Sequence, residues 1–394
     1  MSGATPINTL RSGSRVLEAL SRPARTQRRW LSSTQSRQNT RIISFNDAPP
    51  YLKPGLDEVR EKIILPTYLP RNQQERIYRK SYEPILERDP YVLEIDGEVH
   101  KFYYRDKIAG GLPNTNKAVK DILDKMQTKA DFQLLPRLLQ GVCVQAGRKL
   151  DPAVYPKAVR RAAQAGALPV ILDCVSRAKA TGFQLKQHET IAELLTQIQW
   201  QAIESGWDEA ATQTALRRTQ QVLDLLESDP EHQWRNIPGK LEVHYKFPFH
   251  RDPQFLAARL NLAAAMVLKH KAGPDMEKKV LHYAEQLVKL WPAGSTMLDL
   301  HPTEAYRFKE TGVKYLLARS IYLWHASPIL YGLKQAAQVV GASSAATAQE
   351  LLQRANAMEP EVEAAVADVG GKGRGIDVYD RLFSEQKNEY VSTA

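Results

Sequence analysis

The phrase Gly-x-x-Leu occurs at Gly147-Arg148-Lys149-Leu150 and returns 35 residues later at Gly182-Phe183-Gln184-Leu185. The stretch between reads as one helix–turn–helix unit. Asp151 suits a helix N-cap, and Pro152 suits the first helical position, where a missing N–H is harmless. Val154, Tyr155, Ala158, Val159 and Ala162 follow at helical spacing. Gly166 interrupts the chain. Leu168, Ile171, Leu172, Val175 and Ala178 mark a second helix, and Gly182 fits its C-terminal end. A repeat of this length constrains the fold strongly. A single helix pair cannot bury its apolar face alone, so neighbouring units must stack.

Weaker copies flank this unit. Upstream, Val119, Ile122, Leu123 and Met126 precede Phe132, Leu135, Leu139, Val142 and Cys143. Downstream, Ile191, Leu194, Leu195 and Ile198 precede a break at Ser205-Gly206, then Ala211, Ala215, Val222, Leu223 and Leu226. The central unit resembles a pentatricopeptide repeat. Tyr155 in the first turn, Ala165-Gly166 between the helices and the closing Gly182 carry the likeness, which extends over residues 115–227. In repeats that read RNA bases a small polar residue usually follows the first-helix aromatic. Here Pro156 follows Tyr155, which argues against base-by-base reading.

The net charge of +10 is unevenly placed. Residues 1–41 hold eight arginines and a single acid, Glu18, so the other 353 residues carry only +3. With its serine content and acid depletion, this segment has the composition of a mitochondrial transit peptide. Arg29, Trp30, Leu31 and Ser32 fall in a run that resembles a matrix-peptidase cleavage region. Import to the matrix is the expectation.

Further on, residues 42–90 read as a proline-rich extended arm, and 91–114 as a β-hairpin and connector. Tyr91–Ile95 and Val99–Tyr104 are the strands. A three-residue loop would align Ile95 with Val99 and set Glu94 beside His100. Residues 228–252 read as a linker, 253–369 as a second α-helical region, and 370–394 as a glycine hinge with an acidic tail. Stripes at Leu256/Leu260/Ala263/Ala264/Val267, Val280/Tyr283/Ala284/Leu287/Trp291 and Val313/Leu316/Leu317/Trp324 define that second region, with Trp324 and Tyr331 in its core. The fold class is therefore all-α and solenoid-like, built of helix–turn–helix repeats, with one small hairpin and an extended N-terminal arm.

Chemistry is sparse. There is no Gly-x-Ser-x-Gly, no His-Glu-x-x-His, no phosphate-cradling loop and no cysteine pair at metal spacing. Cys143 and Cys174 read as small buried hydrophobes. His188-Glu189 stands alone, and His244 and His250 lack a companion ligand. No catalytic residue, cofactor site, metal site or small-molecule substrate is expected. The longest apolar run, Leu262–Leu268, is far too short to span a membrane.

What remains is a basic face. From residue 145 to 186, eight basic residues stand against two acids: Arg148, Lys149, Lys157, Arg160, Arg161, Arg177, Lys179 and Lys186. Lys157, Arg160 and Arg161 form a stripe at i, i+3, i+4 opposite the apolar one. They are candidate contacts to RNA phosphate. The whole arrangement is similar to fungal mitochondrial ribosomal proteins, those of the large subunit above all. That resemblance implies a non-catalytic scaffold whose partners are mitochondrial rRNA and other mitoribosomal proteins. Two other readings stay open: a pentatricopeptide-type factor acting on a mitochondrial transcript, and an assembly factor for a respiratory complex.

Overall fold

The computed structural model describes residues 42–95, 97–106, 111–233, 245–309 and 312–392. The transit segment 1–41 with Arg29, Trp30, Leu31 and Ser32, and the linker residue His244, lie outside the described residues.

The longer helices are numbered in chain order. The repeat region contains α1 (Thr115–Lys125), α2 (Val154–Gln164), α3 (Leu168–Ser176), α4 (His188–Glu204) and α5 (Glu209–Ser228). The apolar stripes are the buried faces. Val154, Ala158, Val159 and Ala162 of α2 are buried, as are Leu168, Ile171, Leu172 and Val175 of α3 and Ile191, Leu194, Leu195 and Ile198 of α4. The first helices of successive units, α1, α2 and α4, stack side by side. Tyr155 meets Phe183 edge-to-face at 5.1 Å, so the first-turn aromatic packs on the chain just past the unit's end.

Two local differences from the expected pattern stand out. Helix α2 begins at Val154, beyond Asp151-Pro152. Asp151 instead accepts the Ala153 N–H at 3.1 Å and pairs with Lys120 of α1 at 2.8 Å, so its carboxylate joins two units. The upstream unit lacks a continuous second helix. It has short helices Lys129–Phe132 and Leu135–Leu139, then a π-helical turn Gln140–Gln145.

The second region comprises α6 (Pro253–His270), α7 (Pro274–Leu290), α8 (Arg319–Val340), α9 (Ala345–Val369) and α10 (Arg374–Ser392). Helix α8 is buried continuously from Tyr322 to Leu333 and packs against α6, α7, α9 and α10, as a central helix must. Trp324 and Tyr331 are in its buried set. The third expected stripe is broken: Lys314–Leu317 is a 3-10 turn, whose tighter winding leaves Leu317 53% exposed. Beyond α9 the chain turns at Gly370, φ +69°, and continues as α10. A Cβ at Gly375 would collide with the carbonyl of Ser320, so glycine there lets α10 lie directly on α8.

The proline-rich stretch 42–90 carries Pro54, Pro66 and Pro84 in the first turns of short helices, where proline fits. Its Ile43, Phe45, Leu52, Leu56 and Val59 join the main core, which reaches unbroken to Phe383. Residues Ile42–Ala394 form one compact unit. A satellite core of Leu65, Leu69, Ile77, Leu86 and Phe102 seats the hairpin.

That hairpin, β1 (Tyr91–Ile95) and β2 (Glu98–Phe102), differs from expectation by one residue. Ile95 pairs with Glu98, so the strands close two residues apart, and Gly97 has φ +82°. Asp-Gly is the favoured sequence for a two-residue turn that needs positive φ. The shift places His100 opposite Leu93, not Glu94, and turns Val99 outward with Val92. Among the described residues no helix is long and apolar enough to cross a membrane.

Candidate functional site

The eight basic residues expected to contact phosphate do different things. Lys157 Nζ lies 2.6 Å from Asp124 Oδ2 on α1. The Arg161 guanidinium donates to the Asp124 carbonyl at 2.5 Å and to the Leu123 carbonyl at 3.4 Å, covering the C-terminal end of α1. Arg160 faces the other way, its Nη1 lying 3.8 Å from Glu193 on α4. Arg177 pairs with Asp173 one turn back, and Lys186 donates to Gln184 at 2.9 Å. The i, i+3, i+4 stripe thus clamps the stacked first helices together.

The sequence separations explain this. Lys157–Asp124 spans 33 residues, Arg161–Asp124 spans 37, and the Asp151 N–H to Asn116 bond spans 35. A repeat near that length sets such positions side by side, so the recurrence itself was the signal for these partners. Reading charge on a single helix misses it.

Arg148, Lys149 and Lys179 are exposed. Arg148 and Lys149 follow Gly147, with the Arg148 N–H held by the Val142 carbonyl at 2.9 Å. Lys179 sits in the short helix Ala178–Thr181. These three charges face solvent at the ends of the central unit, the geometry for meeting a polyanion without first losing an internal partner. A second exposed feature is the outer hairpin face, with Val92, Val99 and Tyr103 each 47% exposed or more.

The two thiols offer no nucleophile. Burial pushes Cys143 up to about 11 and Cys174 up to about 12, so both stay protonated at neutral pH. His188 does not stand alone: its ring nitrogens meet Tyr315 at 2.7 Å and Asp252 at 3.1 Å in the interior. Nothing local marks that meeting, because the partners lie 127 and 64 residues away. His232 bridges the segment after α5 to the central unit. Its Nδ1 accepts the Leu185 N–H at 3.1 Å, which leaves Nε2–H to donate to the Val175 carbonyl at 3.1 Å.

Among the described residues the inter-unit charges are paired within a stacked helical array and exposed cations stand at its rim, the build of proteins that work by contact. The chain belongs to the mitochondrial ribosomal protein mS27 family, whose model matches residues 29–381. Over 401 residues it is 40% identical to the small ribosomal subunit protein mS27 of Neurospora crassa, covering 98% of this chain and 100% of that relative. The expectation of a large-subunit protein is thereby corrected, since the relative is a small-subunit protein. Subunit membership resides in the shape of docking surfaces, which composition and periodicity do not encode.

Proposed function

We propose that this chain is a non-catalytic structural component of the small subunit of the mitochondrial ribosome, working in the matrix. The observation that carries the reading is full-length similarity to a small-subunit protein at 40% identity. The segment 1–41 acts as the import signal, cut near Arg29, Trp30, Leu31 and Ser32. Its acid-poor composition supports this, as does a family match that starts at residue 29.

In this account Arg148, Lys149 and Lys179 approach rRNA phosphates, and the outer hairpin face rests against a neighbouring protein. Lys157, Arg160 and Arg161 hold the array together, while Arg177 pairs with Asp173 within its own unit and Lys186 is steadied by Gln184. The half-buried positions of Lys157, Arg160 and Arg161, against the exposure of Arg148, Lys149 and Lys179, support this division. The family match lends no support to the transcript-binding or respiratory-assembly readings.

Affinity capture of the tagged native chain from mitochondria at high salt tests the proposal. Recovery of small-subunit rRNA in near-stoichiometric amount is expected. Recovery of large-subunit rRNA alone, or of scattered messenger fragments, would contradict it.

A further inference from the structure

The N-termini of α4 and α6 and the turn after Leu298–Leu300 bring three side chains together in the interior. His188 is the first residue of α4, Asp252 is the N-cap of α6, and His301 follows the 3-10 turn. Their exposures are 1%, 0% and 5%. One ligand-type atom from each lies within 4.8 Å of the others. His188 Nε2 is 3.1 Å from Asp252 Oδ2, and His301 Nε2 is 3.8 Å from the same oxygen.

His301 is the unusual member. Both of its ring nitrogens are buried and without a hydrogen-bond partner. Leaving a buried polar atom unpaired is costly, and such atoms normally find a group, a water or an ion. At 3.8 Å its Nε2 is too far from Asp252 to hydrogen-bond. That spacing does suit two ligands sharing one small cation, since atoms about 2.1 Å from a tetrahedral zinc lie about 3.4 Å apart.

We propose that His188 Nε2, Asp252 Oδ2 and His301 Nε2 bind one zinc ion that ties the repeat region to the second helical region. The ligand set of two imidazoles and a carboxylate matches zinc's preference. His188 binds through Nε2 because its Nδ1 is engaged by the Tyr315 hydroxyl at 2.7 Å, the outer-shell contact that fixes a metal-bound imidazole. Asp252 Oδ1 is held by the Gln254 N–H at 2.9 Å, leaving Oδ2 for the metal. The fourth position falls to water or to the Gln254 amide oxygen, which is itself buried and unpartnered. Phe249 and Phe255 pack their rings around His188 and keep bulk water away. The ion's role is structural: its three ligands come from segments 64 and 49 residues apart in sequence, which it locks into one body.

The test uses the full-length chain, purified, stripped with a chelator under native conditions, returned to zinc and desalted. Metal content is read by mass spectrometry, and thermal unfolding is followed with and without zinc. The proposal predicts about one zinc per wild-type chain and a zinc-dependent rise in Tm, with H301L retaining below about one tenth of that metal. Leucine at 301 keeps the volume and removes both unpaired nitrogens, so a chain without a metal site tolerates it or gains stability. Wild-type protein that takes up no zinc, or that holds no more than H301L, would overturn the proposal. If H301L does not fold, the wild-type stoichiometry alone decides.

Discussion

Arg374 Nη1 lies 2.7 Å from Glu193 Oε1, joining residues 181 positions apart. Glu193 is on α4, with its side chain 1% exposed, and Arg374 opens α10. Arg160 approaches the second carboxylate oxygen from α2. One buried acid therefore collects a cation from the central repeat and another from the C-terminal helix, while Gln197 Nε2 donates to it at 3.0 Å. Arg374 also lies over the Trp324 ring at 4.9 Å.

Removing that charge should loosen both ends. E193Q leaves two guanidinium groups without their counter-ion, and we expect a loss of about 2 kcal/mol. That is below the 3–5 kcal/mol typical of a fully buried pair, because both arginines retain access to water. Urea denaturation reads the loss directly. The double variant E193Q/R374Q should lose less than the sum of the single changes.

Gly182 serves two purposes, and substitution separates them. Its φ is +75°, and a Cβ there would stand 2.5 Å from Cys143 Cβ. Gly147 has φ +60° with open space around it. G147A should cost about 1–2 kcal/mol for left-handed backbone alone, and G182A about 3 kcal/mol once the clash is added. Equal losses in the two variants would mean the Cys143 contact is relaxed.

The basic residues divide by role. R160E/R161E reverses the charges that hold α2 to Glu193 and to the end of α1, so its first effect is a stability loss on the order of 2–3 kcal/mol. R148E/K149E touches exposed groups and should leave the unfolding midpoint within about 0.5 kcal/mol of wild type. Its effect should appear as a weaker, more salt-sensitive association with RNA. A stability loss in R148E/K149E that matches R160E/R161E would refute the division.

Acid sensitivity should centre on buried histidine. Burial holds His232 below the ordinary histidine range, with Asp229 opposing. The unfolded chain protonates near about 6.5, whereas the folded chain resists until lower pH. Stability is therefore full above the unfolded value and falls as pH drops below it, because protonated Nδ1 can no longer accept the Leu185 N–H. Denaturation midpoints at neutral and mildly acid pH should show a shallower slope in H232N than in wild type. His325, also driven down by burial, remains in both.

The buried stripes were legible because helical periodicity is local: Leu168, Ile171, Leu172 and Val175 carry their own phase. Gly182 was legible for the same reason. The duties of Lys157, Arg160 and Arg161 were not, since Asp124 and Glu193 belong to adjacent units and a single helix cannot display them. The hairpin register failed on one turn: the strands close two residues apart, not three, and one residue of slip swaps the faces of one strand relative to the other. The meeting of His188, Asp252 and His301 depends on how three distant segments pack, and no spacing rule announces it.

The most direct test of the central claim is sedimentation of the full-length tagged protein from a mitochondrial lysate, with magnesium lowered until the ribosomal subunits separate. The account predicts co-migration with the small subunit that survives high salt. A peak at the top of the gradient, or one that follows the large subunit, would contradict it.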